Sequence, residues 1–550
     1  MQRDLKRLAE ETFDLCILGG GINGLATAYD AAQRGLKVAL VEQGDFGGET
    51  SAGSLKILHG GLRYLQHLDF SRMTESIRER NALMRMAPHL VKPLGFIVPT
   101  TPGFMTGKAA MKTAMVANDL IGWKRNRGIR DREQVLPAGK IISARDLRDL
   151  TSDMPMKDIT GAAQFYDAVM RNSDRFTLSF ALSAAENHAV LANRVRGIRV
   201  VVENDLIQGL EVEDLEEGGA FEIKAKQYAA MTGPWRDLLP ELLQPQPGSG
   251  KVVKNAGLQL LTRRGICSSS GVAIPGGEVD AEAKLKRGGR HYFSLPWQGF
   301  FLWGTQDKIY KGAPEDWCIR EEDILNFIGE INESLPGFHL RREEVLFAFG
   351  GLRMMDAESR KGGSRVSRRY AVNDHQKDLK IRNLISMDGI KYTACRIMAE
   401  KATDLICQKL DLNYVSNTSQ TCLAGGDYET RPILEAEIRA AVPGAWSDQT
   451  IKLIAECYGS DWYKVWGENT SIQVLPDGVT PEYFIQHAIE NEMALHLEDV
   501  LLRRCPLGTF GEPSAAMIER VASIMAEALD WQSDKKEAEI AHFRQNYVYA

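Results

Sequence analysis

The chain lacks the marks of several large protein classes. Only eight cysteines occur in 550 residues, with no C-x-x-C pair and no His/Cys cluster at zinc spacing. Neither a disulfide scaffold nor a structural zinc site is expected, and reduced, buried thiols in a cytoplasmic protein are. No uncharged apolar run approaches the ~18 residues of a membrane span, and the opening MQRDLKRLAEETFD reads as a charged helix, not as the apolar core of a signal peptide. Positive charge is not in excess either. Lys+Arg total 67 against 73 Asp+Glu, a formal net charge of −6, so no global basic field exists to hold nucleic acid. With 44% hydrophobic and 25% charged residues the chain is neither largely disordered nor a polytopic membrane protein.

Glycine is what the chain has in plenty, with 50 residues, and its placement is informative. Phe13 to Leu18 reads as a buried strand running into Gly19-Gly20-Gly21-Ile22-Asn23-Gly24. A helical pattern follows, and then a second buried strand, Lys37 to Val41, ends at Glu42. This is a βαβ unit carrying G-x-G-x-x-G at Gly19, Gly21 and Gly24, with the acid 18 positions after the last motif glycine. Gly19 permits the tight turn, Gly21 admits a pyrophosphate and Gly24 lets helix and strand pack closely. The helix N-terminus then faces phosphates, and Glu42 accepts from ribose hydroxyls. The unit implies a dinucleotide without choosing between NAD and FAD. Its place at the start of the chain, with no second unit downstream, favours a flavoprotein.

A second glycine cluster follows in GDFGGETSAGSLKILHGGLRYL, where Gly47, Gly48, Gly53, Gly60 and Gly61 alternate with polar side chains. Such a loop suits wrapping an extended ligand with backbone amides. Taken singly, His59 reads as a structural hydrogen-bonder and Arg63 as a surface or ion-pair arginine.

Together these segments resemble a known family. GGGINGLATAYDAAQRG, SLKILHGGLRYLQHLDF and RERNALMRMAPHL are similar to the FAD-dependent glycerol-3-phosphate dehydrogenases, whose second segment reads Ser-Ser-Lys-Leu-Ile-His-Gly-Gly-Leu-Arg-Tyr-Leu. Met231-Thr232-Gly233-Pro234-Trp235 resembles Ala-Thr-Gly-Pro-Trp, and Arg290 to Gly312 resembles a strand pair ending in Gly-Thr-Thr-Asp. FGGLRMMDAESR, SRRY and DGIKYTACR resemble Gly-Val-Arg-Pro-Leu, Thr-Arg-Asp-Tyr and Gly-Gly-Lys-Leu-Thr-Thr-Tyr-Arg.

The resemblance implies an α/β (overall α+β) architecture: a Rossmann-like FAD-binding domain interleaved with an antiparallel-sheet substrate domain, plus a helical C-terminal domain. The expected ranges are 1–75, 146–239 and 345–410 for the FAD-binding domain. Residues 76–145 and 240–344 would form the substrate domain, and 411–550 the helical domain. The implied chemistry is oxidation of sn-glycerol 3-phosphate to dihydroxyacetone phosphate, with hydride passing from carbon 2 to flavin N5 and electrons onward to quinone.

FAD contacts are expected from Gly19, Gly21, Asn23, Gly24, Glu42, Thr50, Ser51, Ser54, Lys56, His59, Gly60, Gly61, Thr232, Gly233, Gly389 and Lys391. Substrate contacts are expected from Arg63, Tyr64, Arg353, Arg368 and Thr393, the arginines suiting phosphate because a planar guanidinium matches its oxygens. His59 is expected to take the hydroxyl proton, with Lys391 or Arg353 stabilising oxyanion charge. The competing assignment makes Lys391 the base. No metal is expected.

Departures from the pattern matter. Leu55 replaces a serine, Gln306 a threonine, Met354-Met355 stand for Pro-Leu, and Tyr392, Ala394 and Cys395 interrupt the Lys-Leu-Thr-Thr-Tyr-Arg run. They leave open another polyol phosphate such as erythritol phosphate and an oxygen-using oxidase; a non-catalytic flavin protein is an alternative that the joint retention of His59, Arg63, Arg353, Arg368 and Lys391 argues against, and a homodimer is a separate expectation. Residues 104–132 combine Met, Val, Ile and Trp123 with Lys108, Lys112, Lys124, Arg125, Arg127, Arg130 and Arg132. Two readings follow: a stripe for anionic headgroups on the inner membrane face, or a helix packing its methionines inward.

Overall fold

The computed structural model describes residues 1–104, 106–152, 154, 158–236, 242–243, 253–279, 289–355, 370–389, 391–441, 446–466 and 473–547. Two sheets organise the chain. The strand Thr12–Leu18 pairs in parallel with Val38–Val41 on one side and Ala220–Ala230 on the other. Leu384–Asp388 and Val190–Ala192 extend the parallel order outward, and Ala371–Asp374 closes one edge antiparallel. All four residues of Val38–Val41 are buried, as expected of a parallel strand covered on both faces. The helices Ile22–Gln33, Ser173–Glu186 and Cys395–Lys409 cover one face and share a core with Val38 and Leu40, while Ala39 and Val41 on the other face pack with residues of the strands Val195–Glu203 and Leu206–Asp214.

The second sheet has nine strands, in the order Val345–Met354, Lys254–Thr262, Phe300–Tyr310, Gly289–Trp297, Ser270–Val279, Val91–Thr100, Gly161–Met170 and Ile57–Leu58, with Lys140–Ser143 beside Gly161–Met170. Every pairing is antiparallel except that of Ser270–Val279 with Val91–Thr100. The expected architecture is therefore present: a Rossmann-like sheet, an antiparallel sheet, and helices from Arg431 to Tyr547.

Strand membership departs from the expected ranges in three places. Ile57–Leu58, Gly161–Met170 and Val345–Met354, assigned on sequence to the FAD-binding part, lie in the antiparallel sheet. Gly161–Met170 pairs along its full length with Val91–Thr100. A buried strand reads the same in either sheet, so periodicity does not reveal its partner.

The tail segment HAIENEMALHLEDVLLRR is not one helix. Its first helix, Tyr483–Glu492, stops at Met493 in the left-handed region, and a π-helical turn, Asp499–Arg504, follows. That turn aims two arginines at Asp45, in the loop after Glu42. Arg504 holds both Asp45 oxygens at 2.7 Å, and Arg503 Nε donates to Asp45 Oδ2 at 2.6 Å. Arg503 also pairs with Asp499, while Asn193 joins Asp45 Oδ1 to the Met493 carbonyl. Burial alone would raise the Asp45 carboxyl, but the two guanidiniums outweigh it and hold the group far below the usual carboxylate range.

The tail is thus locked onto the cofactor loop by buried charge. Asp45→Ala would strand Arg504, which has no exposed side-chain surface, at a cost of about 3–5 kcal/mol. The expected result is a marked drop in the thermal unfolding midpoint, larger than for loss of the exposed pair Arg7–Glu11, which is worth roughly 0–1 kcal/mol.

Candidate functional site

The dinucleotide end is built from backbone contacts that admit no side chain. Gly19 lies at φ +112°, and a Cβ there would meet the Met231 carbonyl oxygen at 2.6 Å. A Cβ on Gly24 would lie 1.9 Å from the Gly19 oxygen. The helix Ile22–Gln33 therefore starts directly against the turn, with Gly21 as its cap and no side chain capping it. Ser51 Oγ accepts from the Ile22 N–H at 3.0 Å, which brings the second glycine loop over the helix N-terminus. Glu42 accepts from the Gly20 and Gly44 amides at 2.6 and 2.7 Å, and burial raises its carboxyl. Thr232 and Gly233 follow the strand Ala220–Ala230, and a Cβ on Gly233 would meet nothing within 4 Å.

These residues fit FAD. Open backbone at a helix N-terminus, left clear by glycine, is what a pyrophosphate needs, and the acid after the second strand suits a ribose. The buried Ser54 hydroxyl, with no hydrogen-bond partner among the described residues, adds a polar group available to a ligand.

The second glycine loop ties the two sheets together. Thr50 Oγ1 donates to the Leu352 carbonyl at 2.8 Å, and a Cβ on Gly53 would lie 1.9 Å from the Gly350 oxygen. Lys56, expected at the cofactor, has its ammonium inside the protein. It donates to Ser173 Oγ at 2.7 Å and stands 4.9 and 5.2 Å from the rings of Phe349 and Trp297.

Around His59 the expected residues converge. The His59 N–H donates to Thr393 Oγ1 at 3.1 Å, and its ring lies edge-on to Tyr64, centroids 6.3 Å apart. Lys391 Nζ sits 4.3 Å from the centroid of that same tyrosine ring. Gly60 donates to Asp167 Oδ1 at 2.6 Å, and Arg80, paired with the same carboxylate, would collide with any Cβ on Gly60. Gly61, at φ +79°, turns the chain so that Tyr64 folds back beneath it. Gly389 packs against Asn23 so closely that a Cβ would lie 1.9 Å from Asn23 Nδ2. That contact docks the Lys391–Thr393 segment on the helix Ile22–Gln33.

The electrostatics are unusual for a buried imidazole. Burial, then Lys391, then Arg63 push His59 down to about 3, so it is neutral at physiological pH. Its Nδ1 is buried with no hydrogen-bond partner among the described residues. Burial and Arg63 bring Lys391 down to about 8. The cluster thus holds a neutral imidazole with cations beside it, an arrangement suited to an anionic ligand.

Arg353 donates to Asn255 Oδ1 at 2.8 Å and is ion-paired with the buried Asp307. Burial lowers it, to about 10, leaving it charged near neutrality. Arg368 lies outside the described residues. Sequence reasoning missed Asp307, Asn255, Asp167 and Arg80. The Gly-Thr-Thr-Asp resemblance pointed at Asp307, but only the pairing of Lys254–Thr262 with Val345–Met354 on one side and Phe300–Tyr310 on the other brings Asn255 and Asp307 to Arg353.

Residues 14–389 match the family described as FAD dependent oxidoreductase, and residues 416–536 match the C-terminal domain of alpha-glycerophosphate oxidase. A glycerol-3-phosphate dehydrogenase of Synechocystis sp. is 30% identical over 412 residues, covering 74% of this chain and 72% of the relative. Glycerol-3-phosphate dehydrogenase 2 of Mycobacterium tuberculosis is 29% identical over 546 residues, 98% of this chain and 88% of the relative. Among solved structures, the glycerol-3-phosphate dehydrogenase of Bacillus halodurans complexed with FAD aligns with a TM-score of 0.73 at 21% identity, over 98% of this chain and 95% of that one.

Gly24→Ala forces a Cβ into backbone that cannot yield, because the opposing atom is a carbonyl oxygen 1.9 Å away. The purified variant is expected to lose nearly all bound FAD, read from the flavin absorbance per polypeptide. Gly35→Ala is the control, since a Cβ there meets nothing within 4 Å.

Proposed function

We propose, from the premise that the chain belongs to the FAD-dependent glycerol-3-phosphate dehydrogenase family, that it oxidises sn-glycerol 3-phosphate at carbon 2 to dihydroxyacetone phosphate and passes the electrons to a quinone. The observation that carries this reading is the neutral, buried His59 flanked by Lys391 and Arg63. A substrate that carries a dianionic phosphate monoester beside a free secondary alcohol needs cations to hold the phosphate and a neutral base to take the hydroxyl proton. FAD, when bound, supplies the acceptor for the carbon 2 hydride.

The protein's own residues do the rest. Arg63, Arg353 and Arg368 bind the phosphate, and Tyr64 and Thr393 line the remaining contact. His59 takes the hydroxyl proton at a ring nitrogen, while Lys391 as ammonium steadies the oxyanion. Phosphate bound beside Lys391 and Arg63 offsets the charge that depresses His59, so the base strengthens when substrate arrives.

Two further parts of the reading concern the acceptor. Among the described residues no helix is long and apolar enough to cross a membrane. The helix Lys108–Ile121 buries Met111 and Met115, as the inward-packing alternative expects. Its other face nevertheless presents Val116 and Leu120, 51% and 69% exposed, continuing to Trp123 at 74% and preceded by Phe104 at 92%. Lys108, Lys112, Lys124 and Arg127 are exposed around them. Arg125 does not belong to this set, since it pairs with Asp119 at 3.0 Å and donates to the Leu136 carbonyl. An apolar ridge ringed by cations suits the surface of an anionic bilayer, where a quinone is met. Flotation with anionic vesicles at low salt should carry the protein upward, and Leu120→Glu with Trp123→Ala should leave it in the soluble fraction.

Anaerobic addition of glycerol 3-phosphate should bleach the bound flavin. His59→Asn should stop bleaching while FAD content is kept. Because kcat/KM reports groups of the free enzyme, it should fall as pH rises past about 8, where Lys391 loses its charge. A rise there would give the base role to Lys391, and no bleaching by glycerol 3-phosphate would reject the function.

A further inference from the structure

Tyr392 departs from the leucine of the family pattern, and its hydroxyl makes contacts a leucine has no atom to make. It opens the short 3-10 turn Tyr392–Ala394, preceded by Lys391 as the cap and followed by Thr393, which accepts the His59 N–H. Its ring lies against Phe176, centroids 6.0 Å apart, and this directs the hydroxyl to the helix Ser173–Glu186. There it bonds Thr177 Oγ1 and lies 3.3 Å from the Ser173 carbonyl oxygen. Thr177 Oγ1 is also within donating distance of that carbonyl, at 2.9 Å, so the two hydroxyls meet each other over one backbone acceptor, either of them able to donate to the other. Ser173 Oγ in turn accepts from Lys56 Nζ at 2.7 Å.

These links close a ring. Lys56 and His59 lie on one segment, and Lys391 and Thr393 flank Tyr392 on another. The helix at Ser173 and Thr177 joins the segments at one end, and the His59 amide bond to Thr393 joins them at the other. Thr177 also reaches the cofactor loop, since a Cβ on Gly47 would lie 2.8 Å from its Cγ2. Ser173 and Thr177 are buried, so no water competes for these bonds. With leucine at 392 the ring would be open where the turn meets the helix.

We propose that Tyr392 is a positioning residue for the oxidation. Its hydroxyl pins the Lys391–Thr393 turn to the helix Ser173–Glu186, so that Lys391 and His59 keep one separation while substrate binds. The inference rests on the reading of His59 and Lys391 as the acting pair. Positional errors of about 1 Å cost up to roughly a hundredfold in rate, so a single anchoring hydroxyl has kinetic weight without touching substrate.

The test is anaerobic stopped-flow reduction of the FAD holoenzyme by glycerol 3-phosphate. Tyr392→Phe removes only the hydroxyl and keeps the ring packing. Its saturating reduction rate should fall about tenfold, with the half-saturating concentration within about twofold of wild type, and with FAD content and thermal midpoint unchanged. Thr177→Val, lacking the partner oxygen, should give the same loss, whereas Thr177→Ser should retain the wild-type rate. The double variant Tyr392→Phe/Thr177→Val should be no slower than either single one, because both break one link. A wild-type rate in Tyr392→Phe, or losses that multiply in the double variant, would overturn the inference. A wild type that glycerol 3-phosphate does not bleach would overturn the functional reading as well, so the two failures are told apart in the wild-type trace.

Discussion

The contact between Gly24 and the Gly19 carbonyl fixes the origin from which the rest of the site is measured. With only 1.9 Å available to a side-chain carbon, the helix can begin nowhere but against the turn, and the turn in turn lies against Met231 at the end of the neighbouring strand. Asn23, one residue before Gly24, then meets Gly389, so the placement of the helix decides where the Lys391–Thr393 segment docks. That segment receives the His59 amide through Thr393. A backbone packing restriction at the nucleotide end is thereby carried, residue by residue, to the candidate chemical groups. Only the short side chains of Asn23 and Thr393 intervene, and the geometry is correspondingly rigid.

Charge is arranged in two opposite ways on either side of this frame. At the tail, Arg503 and Arg504 meet Asp45, Asp499 and Glu498, so buried cations and anions are matched and the helical domain is held to the cofactor loop. At His59, Lys391 and Arg63 press on an imidazole that burial has already made neutral. The first arrangement stabilises the protein as it stands. In the proposed function a substrate phosphate would join the second, and its binding would be coupled to the strength of His59 as a base.

Much of this was legible from local sequence. The G-x-G-x-x-G turn followed by an acid after the second strand describes a local unit whose geometry is set by its own residues, and the structure contains it at Thr12–Leu18, Ile22–Gln33 and Val38–Val41. The convergence of His59, Tyr64, Lys391 and Thr393 was legible only through the resemblance, because segments more than 300 residues apart in the chain carry no local signal of contact. The clamp of Arg503 and Arg504 was not legible at all. Only the left-handed Met493 and the π-helical turn point those arginines at Asp45.

Sequence alone determined the dinucleotide-binding unit, since glycine spacing, strand hydrophobicity and acid placement act within a single supersecondary unit, while FAD and the two-sheet architecture were read through the family resemblance. Tertiary structure decided which strands joined which sheet, where the ammonium of Lys56 went, and that Arg353 shares its guanidinium with Asn255 and Asp307. It also turned Tyr392 from an apparent departure into the link between two distant segments. The physical reason is common to all of these. Hydrogen-bond partners and ion pairs depend on distances across the fold, and a linear pattern records which groups are available but not which of them meet.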